Sequence, residues 1–130
     1  MKLNGDLYRI DSRMEDLPEG QSGFNIILNP DHLIYKAHFP GQPVTPGVCL
    51  LQMVSELLSV QEGKQLTIKS IKNAKFTRMM SPLTDSRISV LFKSVTAEEG
   101  GTRAQGMVAA TGDMERLFLK FSILLTDESL

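Results

Sequence analysis

Apolar residues recur at helical spacing in only one long stretch of the chain. Cys49, Leu50, Leu51, Met53, Val54, Leu57 and Leu58 follow one another closely. Turning 100° per residue leaves Gln52, Ser55, Glu56 and Ser59 on one narrow polar strip. The apolar residues cover the remaining two-thirds, roughly, of the circumference, so the helix is expected to be wrapped rather than laid on a surface. The spacing predicts a helix over about 46–62. Thr45 is expected as its cap, Pro46 as its first residue and Gly63 at its end. At about 1.5 Å per residue it would span about 20–25 Å.

The rest of the pattern is β. Residues 7–17 mix Leu7, Tyr8 and Ile10 with charge and read as an exposed or edge strand, with a short helix as the rival. Residues 23–29 form a short strand closed by Asn29-Pro30, and residues 31–35 allow one helical turn capped by Asp31. Residues 66–76 carry Leu66, Ile68 and Ile71 ahead of Phe76. In residues 87–95, Ile88, Val90 and Phe92 alternate with Arg87, Ser89 and Lys93. A turn at Glu98-Glu99-Gly100-Gly101 leads into 102–111, whose inner face is small (Ala104, Gly106, Val108, Ala110). After a second turn at 112–115, Leu117, Leu119, Phe121, Ile123 and Leu125 alternate through the last strand, and 127–130 form a polar tail. Two short strands, a buried helix and four strands joined by tight turns predict an α+β domain, with an antiparallel sheet curled around one central helix.

Composition narrows this picture. A chain of 130 residues is expected to form a single domain, 1–130, with no repeats or linkers. A net charge of −1 and the lack of a basic run argue against nucleic acid as a partner. The apolar runs fall well short of the roughly 20 residues a membrane span needs. The start, Met1-Lys-Leu-Asn-Gly-Asp6, lacks the apolar core of a secretory signal, so a cytoplasmic location is expected. One cysteine (Cys49, expected in the core) and two histidines leave too few ligands for a recognisable zinc site. No metal or organic cofactor is expected.

Candidate chemistry concentrates just before the helix. His38 opens a loop stiffened by Pro40, Pro43, Pro46, Gly41 and Gly47. A histidine titrates near neutrality and suits a general base. The N–H groups of Gly47 and Val48, at a helix start, suit a developing oxyanion. His32 is expected at the surface without a partner. Arg78 with Lys64, Lys69, Lys72 and Lys75 is expected as a solvated strand face, with an acidic carrier protein as the alternative partner.

The run His38-Phe-Pro-Gly-Gln-Pro-Val-Thr-Pro-Gly47-Val48 resembles the signature of the hot-dog-fold 3-hydroxyacyl-acyl-carrier-protein dehydratases of type II fatty-acid synthesis. That family's strand-end motif has an altered counterpart in Phe76-Thr-Arg78-Met-Met-Ser-Pro82. The resemblance implies a hot-dog dimer, alone or in a larger dimer-based assembly, acting on carrier-protein-bound or CoA-bound acyl thioesters. It implies His38 as base, Gly47 and Val48 N–H as ligands of the thioester oxygen, and Phe39 and Pro46 as further substrate-binding residues. The reaction implied is dehydration of 3-hydroxyacyl to trans-2-enoyl thioesters in fatty-acid or related lipid or polyene synthesis. The family completes its site with an acid fourteen positions after the histidine, contributed across the dimer. This chain has Gln52 there and Glu56 one turn later. An amide orients a hydroxyl or a water but does not donate and recover a proton at neutral pH. Glu56 is therefore either a displaced carboxylate of the site or a carboxylate on the helix's polar strip that is solvated or faces the dimer. Two alternatives to an efficient dehydratase follow: an acyl-thioester-binding partner subunit with little or no activity, and a hot-dog thioesterase.

Overall fold

The computed structural model describes residues 2–37 and 41–128. His38, Phe39 and Pro40 lie outside the described residues, as do Met1, Ser129 and Leu130. Along the chain run β1 (Tyr8–Arg13), β2 (Ser22–Leu28), α1 (Ile34–Ala37), α2 (Gly47–Glu62), β3 (Leu66–Phe76), β4 (Arg87–Glu98), β5 (Gly101–Ala110) and β6 (Asp113–Asp127). The six strands form one antiparallel sheet in the order β1-β2-β4-β5-β6-β3. The sheet curls around α2.

Burial of α2 follows from its composition. Met53, Val54, Leu57 and Leu58 lose all contact with solvent, and Cys49 and Leu50 are nearly as buried. They meet Phe24, Ile26 and Leu28 of β2, Ile88, Val90 and Phe92 of β4, and the inner face of β6 in one core. Gly63 ends the helix in the left-handed conformation (φ 67°, ψ 29°), its N–H donating to the Ser59 carbonyl. At the other end Pro46 is the N-cap and Gly47 the first helical residue, one place later than the sequence suggests, and α2 has no side-chain cap. Thr45 does not cap because its hydroxyl is engaged elsewhere, 2.8 Å from the Tyr35 hydroxyl in a buried hydrogen bond.

The small inner face of β5 has a specific cause. Gly106 lies between Phe92 of β4 and Phe121 of β6 in register, and the two rings meet edge to face at 6.0 Å. A Cβ on Gly106 would fall 1.9 Å from the Leu91 carbonyl oxygen and 2.9 Å from the Phe121 ring. Strict alternation fails in β6 at Phe118. The register steps from Val108↔Leu119 to Ala109↔Leu117, which leaves Phe118 unpaired in a bulge. Phe118 and Leu119 are consequently both buried, whereas Leu117, expected inside, is only half-buried. The tail expected over 127–130 starts later: Asp127 still belongs to β6, and the Glu128 N–H donates to the Gln65 carbonyl.

Replacing Gly106 with alanine is predicted to lower the unfolding free energy by about 3 kcal/mol, because a backbone carbonyl has to move. Gly112→Ala, at φ 84° with open space around it, is predicted to cost only about 1 kcal/mol, through backbone conformation alone. Urea unfolding of the two variants checks the contrast; equal losses would contradict it.

Candidate active site

The start of α2 sits over the end of β3. Gly47 is the first residue of the helix, and a Cβ there would be 2.9 Å from the Phe76 ring, so glycine lets the helix start close on that ring. The Gly47 and Val48 N–H groups precede the first intrahelical bonds, which begin with Cys49 and Leu50 donating to the Pro46 carbonyl. Neither has a backbone partner among the described residues. This corner opens into a groove of about 590 Å³, lined by Val44, Pro46, Gly47, Phe76, Arg78 and Met79 among others. Val48 and Met79 stand exposed beside it.

The loop between α1 and α2 is held on both sides of its undescribed part. On the C-terminal side the Thr45 N–H donates to the Met80 carbonyl, and its hydroxyl pairs with Tyr35, which precedes residues 38–40. On the N-terminal side His32 is neither free nor on the open surface. Its Nδ1 accepts from the Ile34 N–H at 3.0 Å, which leaves the ring proton on Nε2, facing Asp6 Oδ2 at 3.0 Å. Asp31 does not cap α1; its N–H donates to the Asn29 side chain, and His32 meets the first N–H of that turn. Cys49 is buried, as expected, and burial pushes its thiol above the ordinary range, so it packs as an apolar residue. Lys64, Lys69, Lys72, Lys75 and Arg78 are all exposed.

Gln52 and Glu56 line a different cavity, of about 470 Å³, together with Lys2, Asn4, Ser55 and Ser59. Within one chain the two halves of the motif therefore do not face the same space. The polar strip of α2 is half-buried and hydrogen-bonded within the protein: Ser55 and Ser59 bond back to helix carbonyls, and Ser59 bridges to Leu66 of β3. Glu56 carries four hydrogen bonds. Oε1 accepts from the Asn4 N–H at 2.7 Å and the Tyr8 hydroxyl at 2.9 Å. Oε2 accepts from the Leu3 N–H at 2.8 Å and Gln52 Nε2 at 2.9 Å. A carboxylate offers about four acceptor positions, so this one is full. Nothing in local periodicity pairs Glu56 with residues 3, 4 and 8, or Tyr35 with Thr45. The only signal was negative: a glutamate and two buried tyrosines require partners.

The family model described as ApeI dehydratase matches residues 15–109, most of the chain. The chain belongs to the ApeI-like dehydratase family. A curated 3-hydroxyacyl-acyl-carrier-protein dehydratase, FabZ of Ligilactobacillus salivarius, is 29% identical over 116 residues, covering 78% of this chain and 81% of its own length. FabZ of Clostridium acetobutylicum is 31% identical over 80 residues, 54% of this chain and 55% of its own. Among solved structures, the dehydratase heterocomplex ApeI:P from Xenorhabdus doucetiae superposes with a TM-score of 0.62 at 19% identity, over 88% of this chain and 93% of that one. An uncharacterized protein from Erwinia carotovora subsp. atroseptica gives 0.62 at 25% identity, over 95% and 99%. The ApeI-like chain thus has the hot-dog fold anticipated from its motif. Among its described residues there is no group of metal-ligating side chains and no helix long and apolar enough to cross a membrane.

Tyr8 supplies a pH test of the Glu56 arrangement. Burial first, then the Glu56 charge and the hydrogen bond to it, raise the Tyr8 phenol well above its ordinary value; burial raises Tyr35 as well, against a smaller lowering by Thr45. A raised folded-state value means the stabilising contribution is fully present below about pH 10 and is lost above it, as the unfolded chain ionises and the folded one does not. Tyr8 is predicted to add about 1.4 kcal/mol per pH unit to the alkaline loss of stability. Unfolding measured between about pH 10 and 11.5 should show a shallower slope for Tyr8→Phe; an unchanged slope would contradict the assignment.

Proposed function

We propose that this protein dehydrates 3-hydroxyacyl thioesters, carried on acyl carrier protein or CoA, to trans-2-enoyl thioesters as a homodimer. The observation that carries this reading is the start of α2, where Gly47 closes on Phe76 and two helix N–H groups have no backbone partner among the described residues, beside a groove. Removing the proton next to a thioester carbonyl places charge on the carbonyl oxygen, and such N–H groups stabilise charge at that point. His38 takes the proton, Gly47 and Val48 hold the oxygen, and Phe39 and Pro46 flank the thioester. No cofactor is required.

Two features support the dimer. The outer edge of β3 runs for eleven residues beside no other strand and exposes Ile71 and Phe76, an arrangement that favours pairing with another strand. The cavity lined by Gln52 is separate from the groove at Gly47, so a site combining both needs two chains, with Gln52 facing its partner's His38.

Gln52 also supports a second reading. With an amide at the acid position, and with Glu56 already saturated by four hydrogen bonds, neither position 52 nor position 56 offers a proton for the leaving hydroxyl. The chain would then act within a hetero-oligomer, in which another hot-dog subunit supplies the acid. The Xenorhabdus neighbour is itself described as a heterocomplex. A thioesterase is the weaker alternative, since no free carboxylate in α2 faces the groove to handle water.

The test is turnover of a 2-enoyl/3-hydroxyacyl carrier-protein pair by the isolated protein, with sedimentation to establish its oligomeric state. His38→Ala is predicted to lower the rate by about 10²–10⁴, the usual worth of a general base. A full rate in His38→Ala would sink the dehydratase assignment. An inactive wild type that gains activity in Gln52→Glu would favour the partner-subunit reading instead. Net thioester hydrolysis would favour the thioesterase.

A further inference from the structure

We propose that Thr45 is a positioning residue for the first N–H groups of α2, acting through the hydrogen bond between its hydroxyl and that of Tyr35. This inference deepens the proposed function and rests on its acyl-thioester reading, in which Gly47 and Val48 hold the thioester oxygen. Thr45 stands two residues before Gly47 and is tied to two other parts of the fold. Its N–H donates to the Met80 carbonyl at 2.8 Å. Its hydroxyl lies 2.8 Å from the hydroxyl of Tyr35, ten residues back. Both anchors are themselves held. Tyr35 and Met80 are buried. The turn after Met80 closes with the Asp85 N–H donating to the Ser81 carbonyl, and the Asp85 carboxylate accepts two hydrogen bonds from Arg116 of β6, at 2.8 and 2.7 Å.

Pro46 alone separates Thr45 from the helix, at φ −60° and ψ 144°. Its ring fixes the first of these angles, so the orientation of residue 45 passes to Gly47 and Val48 with little slack. Packing by itself does not call for the two hydroxyls. Thr45 and Tyr35 are both buried, and a valine and a phenylalanine of the same shape would fill the place without burying two polar groups. Apolar contact has no direction, whereas a hydrogen bond weakens steeply as it bends. What the hydroxyl pair adds to packing is therefore a fixed direction for residue 45. N–H groups that meet a developing oxyanion need that direction, since misplacement by about 1 Å can cost about 10²-fold in rate. The Thr45 hydroxyl, taken up by Tyr35, acts through the backbone and not on the ligand.

The test uses the paired variant Tyr35→Phe/Thr45→Val, because each single change strands one buried hydroxyl and weakens the fold. The paired variant is predicted to unfold at the wild-type urea concentration or above. With the 2-enoyl/3-hydroxyacyl carrier-protein pair its kcat should fall about tenfold while KM stays unchanged. Thr45→Ser, which keeps the hydroxyl, should retain most of kcat. A paired variant that keeps the wild-type kcat, or that unfolds early, places the worth of the hydroxyls in packing and stability, and overturns the proposal. A loss in Thr45→Ser as large as in the paired variant overturns it as well. If wild type binds without turnover, the readout is the pair of Gly47 and Val48 ¹H–¹⁵N signals during titration with hexanoyl-pantetheine amide, in which an amide replaces the thioester. Both signals should shift at saturation in wild type and Thr45→Ser, and shift less in the paired variant; equal shifts overturn the proposal. If wild type neither turns over the pair nor binds the amide, the acyl-thioester reading fails and takes this proposal with it. A wild type that does either, beside a paired variant that behaves identically, fails this proposal alone.

Discussion

A helix wrapped on most of its circumference has nowhere to send its polar side chains. That constraint governs α2. Its buried residues tie β2, β4, β5 and β6 into one core, and the few polar groups left over must be satisfied inside the protein. Ser55 and Ser59 manage this by bonding back to helix carbonyls and to β3. Glu56 does so by drawing in the chain's N-terminal segment, whose backbone at Leu3 and Asn4 has no strand to pair with at those atoms. The same carboxylate therefore satisfies the helix and anchors the edge of the sheet at Tyr8.

This explains which parts of the molecule could be read from the chain. The α2 span and the strands rest on short-range periodicity, and they appear within a few residues of where the pattern puts them. Gly63 ends the helix because only a left-handed residue completes that turn. Most departures come from contacts outside the local pattern. Thr45 has the chemistry of a cap, but Tyr35, ten residues back, takes its hydroxyl. Leu117 obeys alternation, but the register with Ala109 slips and Phe118 takes the interior place. His32 looks solitary until the fold brings Asp6 to it. A residue type states which partners it accepts; tertiary geometry decides which of them arrives.

The candidate site divides along the same line. The helix start is local: Pro46, Gly47 and Val48 are consecutive, and the first N–H groups of any helix lack intrahelical partners. Its counterpart on β3 is not local, yet Gly47 already hints at it, because a residue without Cβ at a helix start implies something close by, here the Phe76 ring. The meaning of Gln52 and Glu56 could not be read in this way. Two residues four apart on a helix face were open to being an acid and its helper in either order.

The four bonds to Glu56 bear on that order. A general acid must hold a proton on an oxygen that faces the leaving group, and each Glu56 oxygen instead faces two donors. Moving the carboxylate one turn along the helix thus exchanges a proton donor for a rigid anchor. An amide at position 52 then fits beside it, because its nitrogen supplies the fourth donor that the carboxylate accepts.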